Sequence, residues 1–393
     1  MSTPIPAPDW DPRDPAVLHD PLPAYDAMRR RCPVAYSDYL RWSLLRHEDV
    51  LRVVLDAEGF GNAVSAHVSI PNGMDPPEHT PWRALIEPYF APQRLAAFEP
   101  AARGVARELV QALPGGDLEF MHGFAHECAV RLLCAFMGWP QALREPLRQW
   151  TRRNQQATLA GDREAMAAVA FEFDGQIRAQ LDACRAEPGR DDVTARLLRE
   201  TIDGRPLRDE EIVSILRNWT VGELATLSAS IGILAWYLAT HPVLQQDLRA
   251  RADLLRPAID EILRIHPPLL ANRRVARHTA RIGERTVAAG ERITLMWASA
   301  NRDEAVFGDP DAFRLDRDPA LNLLYGAGLH VCPGAELSRL QLGIVVQELL
   351  AATSLLAPVA GQAPVPAHYP ASGFSVLPLR LLRPAALDVR QAT

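Results

Sequence analysis

A mainly α-helical fold with small β-sheets is what this 393-residue chain predicts, on three observations. Apolar residues recur three and four positions apart through several long segments, the period of a helix with a buried face. The segment from Glu211 to Thr240 is apolar on nearly every side and far exceeds the mean helix of about 11–12 residues, so it belongs at the centre of the fold. Strand-like stretches are short and few.

Taken in order, residues 1–13 are rich in Pro and Asp and predict an irregular lead-in, and Pro21 to Arg31 starts the first helix. Trp42 to Leu45 predicts a strand. Helices follow at Arg94 to Leu113, Phe124 to Met137, Ala165 to Glu187 and Glu211 to Thr240, punctuated by Pro or Gly. Asp209, Glu210 and Glu211 suit the positive N-terminal end of the last of these, and His241-Pro242 stops it. Thr286-Val287, Arg292 to Trp297 and Phe374 to Leu382 are short strand pieces. The spacing of Leu337, Leu340, Leu342 and Val346 predicts a helix from Ala335 to Leu350. Without an internal repeat or low-complexity linker, the chain is expected to form one domain over residues 1–393.

Composition excludes several function classes. Net charge is −6 with both signs interspersed, which leaves no electrostatic footprint for nucleic acid. All 42 basic residues are arginine, so neither a Schiff-base lysine nor a lysine-bearing phosphate loop is available. The five cysteines (Cys32, Cys128, Cys134, Cys184 and Cys332) are widely spaced and without a C-x-x-C pair, unlike a disulfide framework or a zinc site. The N-terminus has no basic region followed by an apolar stretch, so no signal peptide or membrane association is expected and a cytoplasmic location is.

One cysteine stands apart. Cys332 lies in Tyr325-Gly-Ala-Gly-Leu-His-Val-Cys-Pro-Gly334. A thiolate that ligates iron needs a tight loop whose amide N–H groups face the sulfur, and Gly326, Gly328 and Gly334 supply the backbone freedom for one. The helix predicted from Ala335 adds its positive end beside the sulfur. This segment resembles the haem-ligand loop of the cytochrome P450 family, Phe-Gly-x-Gly-x-His-x-Cys-x-Gly, with Tyr325 in place of Phe and every other fixed position matched.

The resemblance extends over nearly the whole chain and implies the cytochrome P450 fold, with haem between a long central helix and the Cys-loop helix. It implies iron protoporphyrin IX (haem b) as cofactor and Cys332 as its metal ligand. His79 and Arg83, four apart, together with Arg274 and His330, are the residues implied to hold the haem propionates. Glu261 and Arg264, three apart on one helix face, are implied to form a buried structural pair, with Arg317 or Arg314 as third member.

The central helix departs from its relatives. Where the family carries a small residue, Gly, any residue, an acid and Thr, this chain has Gly222-Glu-Leu-Ala225-Thr226. Thr226 keeps the oxygen-handling position, but Ala225 replaces the acid that helps relay protons. Glu223, three residues before Thr226, is an alternative proton source, and a Glu turned away from the haem is the plain alternative to that. Substrate contacts implied by the resemblance are His67, Asn218, Val221, Gly222, Ala225, Leu270, Ala271 and Ala371, with Ser69 and Asn72 as further polar groups. The implied activity is monooxygenation of a small, largely apolar organic molecule with O2, the electrons coming from NAD(P)H through a ferredoxin and a ferredoxin reductase as separate chains. Arginines near the Cys-loop helix would meet the acidic ferredoxin. The alternatives are a peroxide-driven or oxidative-coupling enzyme, for which the missing acid matters less, and a non-catalytic haem-thiolate binding protein.

Overall fold

The structure, a computed structural model, describes residues 6–65, 68–369 and 371–384. Its axis is the helix Asp209–Thr240. Glu211 anchors the start of this helix. Its carboxylate accepts from the Arg208 backbone N–H at 2.7 Å and from the Arg205 and Arg208 guanidiniums. These partners, Arg205 first, hold its pKa down at about 2 against the opposing effect of burial. The helix is long and apolar enough to cross a membrane, but 67% of its apolar window lies buried inside the protein. It packs against the helices His126–Met137, Arg163–Ala186, Leu255–Ile265 and Ala335–Ala352, which explains its apolar character on nearly every side.

Five short strands form the largest sheet, in the order Val34–Ser37, Arg41–Leu44, Arg292–Leu295, Asn272–Ala276, Phe60–Gly61. Arg41–Leu44 and Arg292–Leu295 run parallel and the other neighbours antiparallel. The two-residue period of a strand puts Arg274 on the same buried face as Ala276. A three-stranded sheet joins Leu355–Pro358, Pro378–Leu382 and Gly116–Glu119.

Three expectations change in detail. The strand expected over 374–382 divides at Leu377, whose N–H donates to Glu119. Phe374–Val376 pairs with Val365–Pro366, and Pro378–Leu382 joins the three-stranded sheet. The helix expected from Phe124 is entered through a wide turn at Met121–Ala125. Arg144–Ala160 is helical although its run Arg152-Arg-Asn-Gln-Gln156 hides the period; only Leu147, Trp150 and Ala157 turn inward.

Candidate active site

The cysteine loop closes on itself through the Cys332 N–H and the Tyr325 carbonyl, 2.9 Å apart. Gly326 (φ 73°) and Gly328 (φ 67°) adopt left-handed backbone that an L side chain strains to reach. At Gly328 space is also short, since a Cβ would meet Leu55 Cδ2 at 3.2 Å and the Val54 carbonyl at 3.3 Å. Gly334 differs from expectation: its φ is −86°, which any residue can adopt. Its N–H hydrogen-bonds the Cys332 sulfur, and a Cβ on it would lie 3.9 Å from Sγ. Burial pushes the Cys332 thiol pKa up, while the Gly334 N–H, Arg83 and Arg339 pull it down. Although enclosed by protein on most sides, the sulfur is accessible at the wall of a cavity. The helix Ala335–Ala352 begins three residues later, so its positive end is beside the sulfur. Under the loop, the Tyr325 ring faces the Arg339 guanidinium at 4.5 Å.

That cavity, about 670 Å³, has Cys332, Thr226, His79, Arg83, Arg274 and His330 on its wall. His79, at the start of the helix His79–Ile86, is 2% exposed, and neither ring nitrogen has a hydrogen-bond partner. The ring centroids of His79 and His330 are 4.4 Å apart, and His330 Nε2 is also unsatisfied. Burial and Arg83 lower the His79 pKa, and burial, His79 and Arg274 bring His330 down to about 4. Among the described residues Arg274 is buried with no acceptor but the Arg273 carbonyl, and burial brings its pKa down to about 10. Arg83 donates to the Val331 carbonyl at 2.7 Å and pairs with Glu87, pinning the cysteine loop.

Buried charges are ordinarily paired and buried polar groups hydrogen-bonded. A buried guanidinium without an ion pair among the described residues, an unbonded His79 ring and the unsatisfied His330 Nε2, 3.7 Å from Asp75, share one wall with an accessible cysteine sulfur, so these residues fit a haem with its anionic propionates. Arg274→Ala is expected to weaken haem retention by about tenfold to a hundredfold, the worth of a hydrogen bond to a charged group. Haem content per protein after purification checks this.

Glu261 and Arg264 form a buried network. Arg264, 1% exposed, makes two bonds to Glu261 (2.8 and 2.9 Å) and reaches the Asn301 and Pro310 carbonyls. Arg317 is the third member, with Nε 3.0 Å from Glu261 Oε1, whereas the Arg314 side chain pairs with Asp316 and gives Glu261 only its backbone N–H.

On the central helix, Asn218, Gly222, Thr226 and Ser230 form an i,i+4 row along the cavity, with Val221 and Leu227 beside it. Ser230 was not among the expected contacts, although the i+4 step from Thr226 points to it. Thr226 Oγ1 donates to the Gly222 carbonyl at 2.5 Å. Glu223 falls off this row and does not line the cavity. Its buried carboxylate accepts from Gln341 Nε2 at 2.6 Å on the Cys-loop helix. Burial raises its pKa to about 7, with the Gln341 bond opposing.

A glutamate with a raised folded pKa stabilises the fold fully below its unfolded value and progressively less as pH rises to the folded one. Between pH about 4.5 and about 7, Glu223 is therefore expected to cost the protein on the order of 3 kcal/mol of stability. Glu223→Gln should flatten that slope and unfold at higher temperature than wild type at pH 8, as thermal melts from pH 5 to 8 would show. Because its carboxyl faces Gln341, unchanged electron-to-product coupling is expected in the same variant.

The other implied contacts divide. Ala271 lines the cavity and Ala225 does not. Asn218 lines it, but its amide is engaged, bonding the Ile70 carbonyl at 2.9 Å and Ser69 Oγ at 3.1 Å. Leu270 and Ala371 line a different cavity, and His67 lies outside the described residues. The arginines beside the Cys-loop helix carry their own carboxylates: Arg256 pairs with Glu336, Arg339 with Asp260 and Glu336, and Arg103 with Glu99 and Glu348.

Fold and site together define a haem-thiolate oxidoreductase, and comparison with known proteins agrees. The family model "Cytochrome P450" matches residues 139–380. Cytochrome P450 109 of Bacillus spizizenii is 30% identical, with 86% of this chain and 85% of that protein covered. Linalool 8-monooxygenase of Pseudomonas putida is 30% identical, with 78% and 82% covered. The solved structure of cytochrome P450 CYP109Q5 from Chondromyces apiculatus superposes with a TM-score of 0.83 at 27% identity, over 95% of this chain and 98% of that one. The chain belongs to the cytochrome P450 family and is an oxidoreductase of the monooxygenase type.

Proposed function

We propose that this protein is a single-domain, cytoplasmic haem b monooxygenase that oxidises a small, largely apolar organic molecule with O2, its electrons passing from NAD(P)H through a separate reductase and ferredoxin. The observation that carries the proposal is the shared wall of Cys332, Arg274, His79 and His330. Haem bound there would supply the oxygen-activating chemistry, which a thiolate ligand favours. Cys332 would hold the iron, Arg274, His79 and His330 the propionates, and Arg83 the loop that carries the sulfur.

The relatives' names support an apolar substrate. One relative is a linalool 8-monooxygenase, and others are an epothilone C/D epoxidase and an erythromycin C-12 hydroxylase. In this chain the row Gly222, Thr226 and Ser230 with Val221, Leu227 and Ala271 offers an apolar surface bearing two hydroxyls. With Asn218 engaged, Ser230, whose hydroxyl makes no hydrogen bond among the described residues, is the better orienting group for a substrate. Thr226 gives its own proton to the Gly222 carbonyl, so its oxygen can accept from a water and keep that water at the cavity wall. Protons would arrive through such water, since Ala225 carries none and Glu223 faces Gln341.

Thr226→Ala should therefore lower product formed per NAD(P)H by roughly tenfold, with the electrons diverted to hydrogen peroxide. Unchanged coupling would remove Thr226 from proton handling. The decisive test of the proposal is a ligand screen watching the haem spectrum for a low-spin to high-spin shift, followed by turnover with ferredoxin, reductase and NADPH. Turnover with hydrogen peroxide alone would instead favour a peroxide-driven enzyme.

A further inference from the structure

A second cavity of about 370 Å³ lies on the far side of the segment that walls the first. Along residues 267–271, Pro268, Leu269 and Ala271 face the haem cavity, while Pro267 and Leu270 face the second one. The turn of residues 371–374 lines the second cavity too, and Ser372 Oγ donates to the Pro267 carbonyl at 2.6 Å, tying the two segments together. The central helix supplies another wall through Ile233, Trp236, Tyr237 and Thr240, a single helical face.

Its chemistry is specific. Leu22, Ile233, Leu270 and Phe374 make it apolar, and Trp236 meets Phe374 edge to face at 6.0 Å. His241 lies flat on Tyr237, with centroids 4.0 Å apart and planes 9° apart, and its Nδ1 is 2.7 Å from the Tyr237 carbonyl. A carbonyl only accepts, so Nδ1 carries the proton and Nε2 of the neutral ring is an acceptor. The His266 ring, on the same lining, makes no hydrogen bond among the described residues, and burial lowers its pKa to about 4. No arginine lines the cavity, in a protein whose basic residues are all arginine, and Asp20 stands at its edge. The lining therefore offers an anion no arginine and sets a carboxylate against it, with His19, Thr240 and Ser372 among its further polar side chains. The volume falls within the range of about 300–1,000 Å³ typical of small-molecule sites.

We propose that this cavity is an accessory site for a flat, uncharged aromatic molecule bearing one hydroxyl or N–H, bound between Trp236, Phe374 and the Tyr237–His241 stack with its donor on a histidine nitrogen. Because 267–271 has residues on both cavities, its occupant and a ligand in the haem cavity press on opposite faces of that one segment and alter each other's affinity by the same factor.

The test uses holoprotein and 2-naphthol as probe, with the haem cavity filled by saturating 4-phenylimidazole, whose iron ligation is followed by the haem spectrum. Calorimetry should show one 2-naphthol bound per protein. Leu22→Trp, which fills the cavity from the lead-in side, should weaken that binding by roughly tenfold or more while leaving 4-phenylimidazole titration intact. Ala367→Phe, filling it from the opposite side, should do the same and serves if Leu22→Trp does not fold. Absence of 2-naphthol binding beside the azole, or wild-type affinity in a folded filled variant, overturns the site. An azole affinity identical with and without 2-naphthol overturns the coupling. A missing azole spectral shift would count against the haem site instead, so the two failures are distinguishable.

Discussion

Cys332→Ala is expected to abolish the thiolate-type Soret band of the reduced carbon monoxide complex and to reduce NADPH-supported turnover to background. The sulfur is accessible at the cavity wall, held by the loop closure to Tyr325 and by the Gly334 N–H. No other cysteine lines that cavity among the described residues. Cys128 and Cys134 are buried in packed helices, where burial pushes both thiols up to about 12. Haem should still associate through Arg274, His79 and His330, so the variant is expected to be coloured but spectrally changed. A thiolate-type band in the variant would sink the assignment of Cys332.

Glu261→Ala is expected to cost about 3–5 kcal/mol, a large part of the roughly 5–15 kcal/mol that holds a typical domain. The substitution leaves Arg264, almost wholly buried, and Arg317 without their carboxylate, and a buried charge stripped of its partner is far more damaging than the pair was stabilising. Asp253→Ala, which removes the exposed Arg251–Asp253 pair, should leave stability nearly unchanged and serves as the control. Denaturant unfolding of both variants separates the outcomes, and equal effects would show that Glu261 is no more than a surface charge.

Parts of this site are local in sequence and could be read there. Two left-handed glycines, a cysteine and a following amphipathic helix lie within a few dozen residues, and their geometry depends on neighbours along the chain. The pairing of Glu261 with Arg264 is equally local, one helical turn apart. The buried character of the central helix follows from its composition, since no helix that is apolar nearly all round is stable facing water.

Other features depend on contacts between distant segments. Glu223 was eligible as a proton source by spacing, but Gln341, 118 residues away, takes its carboxylate. The third member of the Glu261 network could not be chosen between Arg314 and Arg317, because both are within reach along the chain and only the fold of 307–317 turns one guanidinium inward. Leu270 and Ala271 are adjacent in sequence yet face different cavities, because the irregular segment 266–271 runs between the two.

By itself, then, the sequence determined the family, the cysteine, the helix that backs it and the glutamate–arginine pair, since each is set by short-range backbone periodicity and by residues a turn or a loop apart. Tertiary structure alone decided which side of the central helix meets the cavity, which arginine completes the buried network and which residues stand behind the wall. Those choices belong to side chains brought together from segments as far as 118 and 248 residues apart, whose relative rotation no local pattern encodes.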